Sequence, residues 1–138
     1  MPPEAPQTGS DASVGATPPA AFLRLATLTK RADFQRASRA AHQATPGFVL
    51  QMRKRRPDEA ATADIRVGFT CSKKVGNAVA RNRAKRRLRE VARLALPSLG
   101  QSGYDYVLIG RKGATATLPF AQLQADFARA LAKLHARA

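Results

Sequence analysis

The side chains able to carry chemistry are few, and their spacing is poor for it. Carboxylates gathered around one or two metal ions can hydrolyse phosphodiesters. Here, beyond Glu4, Asp11 and the Asp58-Glu59 pair, the acids Asp33, Asp64, Glu90, Asp105 and Asp126 stand singly. The two histidines, His42 and His135, have no third partner nearby, which makes a poor acid–base pair or metal site. Cys71 is the only cysteine, so neither a disulfide framework nor a four-cysteine metal site is available. It falls at an apolar position of an expected strand and reads as a small buried hydrophobe. No phosphate-binding glycine loop of the P-loop form is present, nor a Ser/His/Asp set that spacing supports. We therefore assign no catalytic residue and no metal ligand. On this count the chain is a binding protein, and any catalysis comes from its partner.

The cations are the opposite case. From Lys73 to Arg93, 9 of 21 residues are Lys or Arg, and only Glu90 opposes them. On a helix starting near Asn77, Ala80, Ala84, Leu88, Val91 and Ala95 make one apolar stripe. Basic side chains fill the rest. Arg81, Lys85, Arg89 and Arg93 follow at i,i+4, where each like-charged pair costs roughly 0.2–0.5 kcal/mol. A helix needing only solubility would alternate signs; this one is built to meet a polyanion.

Several elements must position that helix. Ile65, Val67, Phe69 and Cys71 alternate with Arg66, Gly68, Thr70 and Ser72, a strand whose second face is small and polar. Such a face suits something approaching closely. Lys73 and Lys74 follow, with Asn77 as N-cap; two lysines beside free helix amides make a phosphate site. Upstream, Thr29 is the expected N-cap of a helix over 30–39 carrying Phe34. That ring fits either the core or a base-stacking platform. Phe48, Leu50 and Met52 mark another strand, and residues 39–45 could add an edge strand. The basic run from Arg53 to Arg56 reads as part of a solvated loop. Residues 104–110 form an apolar interior strand, closed by Arg111 and Lys112. After Pro119, a stripe of Phe120, Leu123, Phe127, Ala130, Leu131 and Leu134 runs along a helix that packs on the sheet. The order is αβββαβα, an α+β fold in which helices cover a central sheet as a small sandwich.

At 138 residues the chain has room for one modest core. Residues 1–21, rich in Pro, Ala, Ser, Thr and Gly, read as a disordered tail without Lys or Arg. The body, residues 22–138, carries 24 cations against 7 carboxylates, a net of +17. That field favours nucleic acid. A membrane surface fits poorly, since no apolar run approaches the roughly 18–20 residues of a spanning helix. No secretory signal pattern opens the chain, so the expected compartment is the cytoplasm.

The run from Arg66 to Arg89, RVGFTCSKKVGNAVARNRAKRRLR, resembles the core signature of the bacterial ribonuclease P protein component. Ser72-Lys73-Lys74-Val75-Gly76-Asn77-Ala78-Val79 leads into Arg81-Asn82-Arg83, the family's Arg-Asn-Arg motif. The likeness extends to Lys30-Arg31-Ala32-Asp33-Phe34, to Phe48-Val49-Leu50, and to Tyr104 through Ile109 with Arg111-Lys112. It covers about residues 24–135. The resemblance implies the protein subunit of a ribonucleoprotein endonuclease that removes the 5′ leader of precursor tRNA. In that family the RNA subunit is catalytic and holds Mg²⁺, while the protein binds that RNA and the leader. It also implies a left-handed βαβ crossover, which pattern reading would not give, right-handed connections being the strong default.

Carried over by position, Arg81, Asn82, Arg83, Lys85, Arg86 and Arg89 face RNA from the basic helix, with Lys73, Lys74 and Asn77 at its entrance. Phe34 lines the leader-binding cleft, with Arg111 and Lys112 nearby. Where some relatives carry a second cleft aromatic, this chain has Ser38, so stacking rests more heavily on Phe34. Two other readings differ in class. A structural rRNA-binding protein fits the size and charge but lacks the ordered signature. A DNA-binding regulator would mix more base-reading side chains into its helix than Asn82 alone.

Overall fold

The computed structural model describes residues 24–56 and 64–137. The expected tail over 1–21 lies outside them, as do Asp58 and Glu59. The elements run β1 (Leu25–Thr27), α1 (Arg31–Ser38), β2 (Ala41–Ala44), β3 (Phe48–Lys54), β4 (Ile65–Thr70), α2 (Ala78–Leu99), β5 (Tyr104–Gly110), α3 (Ala114–Thr117) and α4 (Phe120–Arg137). The fold is mixed α+β, as expected. Two elements extend the expected order: the three-residue strand β1, ahead of the first helix, and the four-residue helix α3.

The sheet order is β1-β4-β5-β3-β2. β1 and β5 both lie parallel to β4, with Val67 opposite Thr27 on one side and Tyr106 on the other. β3 runs antiparallel to β5 and to β2, the edge strand that residues 39–45 could supply. Alternation decides which side chains face which way. Phe48, Leu50 and Met52 of β3 are buried, while Val49, Gln51 and Arg53 are half-buried. Together with Ile65, Val67, Tyr106 and Leu108, the buried set forms the floor on which α2 and α4 pack. The ring of Phe127 meets Phe48 edge-on at 5.9 Å. The α4 stripe is as expected, with Leu123, Phe127, Ala130, Leu131 and Leu134 buried and Phe120 partly so. α1 covers the opposite face, where Leu28, Ala37 and Val107 form a smaller cluster with Phe34 and Ile109 beside it.

Two expectations change. Lys30, not Thr29, is the N-cap of α1, and it makes no side-chain capping bond. α2 runs through Pro97 to Leu99. A proline there forfeits only one backbone bond in the last turn, and Gly100 then closes the helix by donating to the Leu96 carbonyl at 2.8 Å. The basic run after β3 is not simply a solvated loop. The side chains of Arg53 and Arg55 are 12% and 4% exposed, and both turn inward onto Asp105.

Candidate RNA interface

β4 ends at Thr70, and the chain then turns through a short 3-10 segment, Lys73–Val75. Val75 is buried and anchors the turn, leaving Lys73 and Lys74 exposed. The Ser72 hydroxyl accepts from the Lys74 amide at 3.3 Å. Gly76 sits at φ +145, where a Cβ would also lie 2.8 Å from that of Ala80, so glycine is required there. Asn77 caps α2 as expected, its Oδ1 accepting from the Ala80 amide at 2.9 Å. The positive end of the α2 dipole thus sits beside two exposed lysines.

On α2 the buried residues are Ala84, Leu88, Val91, Ala92 and Leu96. Ala80 and Ala95, expected in the stripe, lie at its half-buried margins. Asn82, Arg83, Arg86 and Arg89 are exposed, and Arg81 and Lys85 are half-buried along the flank. Val79, Asn82, Arg83, Arg86 and Arg87 enclose a shallow surface concavity, and Val79 is 77% exposed. The like-charged row is partly relieved by its surroundings: Arg89 stacks over the Phe69 ring at 5.6 Å, and Arg93 pairs with Glu90. Arg87 has another task. It donates to the carbonyls of Thr115 and Leu118 at 2.8 and 2.6 Å, clipping α3 to α2.

The Phe34 groove lies on the other face of the sheet. About 270 Å³ in volume, it is walled by Arg31, Phe34, Gln35 and Ser38 of α1 and floored by Gln51, Thr70, Val107 and Ile109. Phe34 is half-buried because its ring rests on Gly68, where a Cβ would stand 2.5 Å from the ring. The small polar face of β4 does receive a close neighbour, and the neighbour is this ring. Arg111 and Lys112 do not line the groove. They follow β5 just past its Ile109 end, exposed, in a turn held by Thr115 Oγ1, which accepts from the Arg111 amide and donates to the Gly47 carbonyl. Since Thr70 pairs with Ile109, the cations after β4 and those after β5 share one end of the sheet. The expected site residues therefore fall on two faces that meet at this end. Arg31, Gln35, Gln51 and Thr70, not assigned from the sequence, complete the groove. Thr70 had a signal in its place on the small face of β4, and Arg31 in its place in the Lys30–Phe34 stretch.

Among the described residues no three His, Cys, Asp or Glu side chains come together, and guanidinium groups engage both Asp33 and Asp105. Asp33 and Asp105 are thus already matched by cations, which does not favour a metal ion at either. His135 Nε2 lies 2.8 Å from the Tyr106 hydroxyl. Burial pushes that hydroxyl up to about 12 and pulls the imidazole down, leaving both neutral near pH 7 as a structural pair. Cys71 is buried, and burial raises its thiol despite a Gly110 backbone bond and nearby Lys85 and Arg81.

The ribonuclease P family model matches residues 22–135. The chain belongs to the ribonuclease P protein component family. A relative from Ruegeria pomeroyi, a ribonuclease P protein component, is 61% identical over 112 residues, covering 81% of this chain and 88% of that one. The ribonuclease P protein of Thermotoga maritima superposes with a TM-score of 0.63 at 26% identity, over 78% of this chain and 96% of that structure. A Staphylococcus aureus ribonuclease P protein, described as a mutant with defective mRNA degradation activity, gives 0.63 at 29% identity over 79% and 87%. Membership in the ribonuclease P family gives the chain a role in an RNA-processing enzyme and implies an RNA partner. No helix among the described residues is long and apolar enough to cross a membrane.

Proposed function

We propose that the chain is the non-catalytic subunit of ribonuclease P and holds two RNA segments. The exposed face of α2, with Arg81, Asn82, Arg83, Lys85, Arg86 and Arg89, and the entrance at Lys73, Lys74 and Asn77, bind the catalytic RNA. The Phe34 groove, with Arg111 and Lys112 beyond its end, takes the single-stranded 5′ leader of precursor tRNA. Mg²⁺ is held by the RNA subunit, in keeping with a protein whose central carboxylates are occupied by arginines. The chain works in the cytoplasm, where its tRNA substrates are made.

One observation carries this reading: a cationic helix and an aromatic groove, on opposite faces of one sheet, converge on a shared end of exposed lysine and arginine. Phosphates along α2 are met by charge, and unstacked bases in the groove by the Phe34 ring, where stacking contributes about 1–3 kcal/mol per base. The test is reconstitution with the cognate RNA and leader-bearing precursor tRNA at low Mg²⁺. The chain should lower the Mg²⁺ needed for cleavage and should cleave nothing by itself. Robust cleavage of precursor tRNA by the RNA-free chain would overturn the non-catalytic assignment. The description of the S. aureus mutant makes mRNA the second substrate for that RNA-free assay.

A further inference from the structure

α1 has only 8 residues and no side-chain cap, far below the roughly 12–15 residues at which a helix is even marginal alone. Its pose must come from what it touches. Ala37 packs with Leu28 and Val107. The Phe34 ring rests on Gly68. Asp33, 7% exposed, accepts from Arg66 at 3.4 Å and from its own helix neighbour Arg36 at 2.9 Å. Arg66 is itself gripped by a two-pronged bond to Asp105, Nε to Oδ1 at 2.8 Å and Nη2 to Oδ2 at 2.6 Å. Asp105 is fully buried on the central strand β5. A continuous ionic chain therefore runs from the middle of the sheet through Arg66 to the residue adjoining Phe34.

We propose that Asp33, acting through Arg66 and Asp105, and Gly68, acting as the seat of the ring, are positioning residues that set the width of the Phe34 groove and hence its selectivity for single-stranded RNA. This rests on the groove being the leader site. Asp33→Asn keeps the side chain's shape but removes the charge that ties α1 to Arg66. Gly68→Ala places a methyl 2.5 and 2.7 Å from two ring carbons and 3.1 Å from Leu28 Cβ, so the ring must lift. Each moves the groove wall from a different side. Neither alters α2.

The test uses the full chain bound to its catalytic RNA and measures affinity for leader-bearing precursor tRNA relative to mature tRNA. Thermal melts and catalytic-RNA affinity are recorded for every variant. Phe34→Ala reports on the groove itself. Asp33→Asn and Gly68→Ala should each lower the ratio about fivefold, equivalent to one stacking contact of about 1 kcal/mol, with catalytic-RNA affinity unchanged. Adding Phe34→Ala to either should cost little more, since all act on one ring. Asp33→Glu should restore most of the ratio. If Phe34→Ala lowers the ratio while Asp33→Asn and Gly68→Ala leave it intact, the positioning role is wrong and the groove stands. If Phe34→Ala itself leaves the ratio unchanged, the groove reading fails. Equal losses in Asp33→Glu and Asp33→Asn would remove the ionic chain from the account, leaving Gly68→Ala to decide the seat alone.

Discussion

Replacing Asp105 with Asn tests how much of the fold hangs on one carboxylate. Asp105 is fully buried, and three guanidinium groups reach it: Arg55 at 2.7 Å, Arg66 at 2.6 Å and Arg53 at 3.5 Å. The amide keeps the volume but removes the carboxylate charge that these three cations share at the centre of the sheet. Breaking a buried pair from one side costs about 3–5 kcal/mol. Arg55 keeps its bonds to the carbonyls of Tyr104 and Asp64, and Arg66 keeps Asp33, which pulls the figure toward the lower end. Against a total stability of about 5–15 kcal/mol, that is a large share. For a domain of this size it corresponds to a fall in Tm of roughly 10–20 °C. Thermal and urea unfolding followed by circular dichroism give the value directly. Combining the change with Arg66→Gln should cost less than the sum of the two single changes, because both remove the same ion pair. A Tm drop below about 3 °C, or strict additivity, would refute the view that this cluster organises the α1 face.

If Arg83 and Arg86 bind phosphates, replacing either with Ala should reduce the salt slope of catalytic-RNA binding by about 0.7–0.9 for each phosphate no longer neutralised; an unchanged slope would mean that they are only solvated. Arg87→Ala should destabilise by about 1–3 kcal/mol, through the two carbonyls at α3 that it leaves without their donor, and urea midpoints should show it while the salt slope moves less than for Arg83. His135 sits neutral against Tyr104 and Tyr106, with its imidazole pulled down by burial. An unfolded histidine takes up its proton near pH 6.5, so the unfolded state binds more protons just below that value, and stability should fall as the pH drops through about 6.5. Tm measured at stepped pH should show the decline, and His135→Phe should flatten it.

What could be read from the sequence was local. Asn77 is legible as a cap because its partner, the Ala80 amide, lies within the same turn. The stripes of α2 and α4 are legible because the helical period repeats over 22 and 18 residues. What escaped was set by distant partners. β1 has three residues, too few for any period, and becomes a strand only by pairing with β4 far along the chain. Asp105 reads as an isolated acid because its arginines lie far away in the chain, and Asp33 because one of its two partners, Arg66, lies on β4. Arg53 and Arg55 read as solvent-facing for the same reason. Phe34 was open between core and platform, and the structure shares it between the two: one side of the ring rests on Gly68 and another borders the groove. The motif residues were recognisable as a set, yet their division between two faces of the sheet depends on topology.

That division has a mechanical side. Gly68 and Phe69 are consecutive on β4, and the pleat sends one to each face. Gly68 carries the Phe34 ring, and Phe69 lies beneath the Arg89 guanidinium. The two surfaces thus bear on a single peptide unit, as two loads on one beam. Any ligand at α2 that shifts this strand must also shift the groove. By reciprocity, the factor by which one occupant changes the other's affinity is the same in either order of addition.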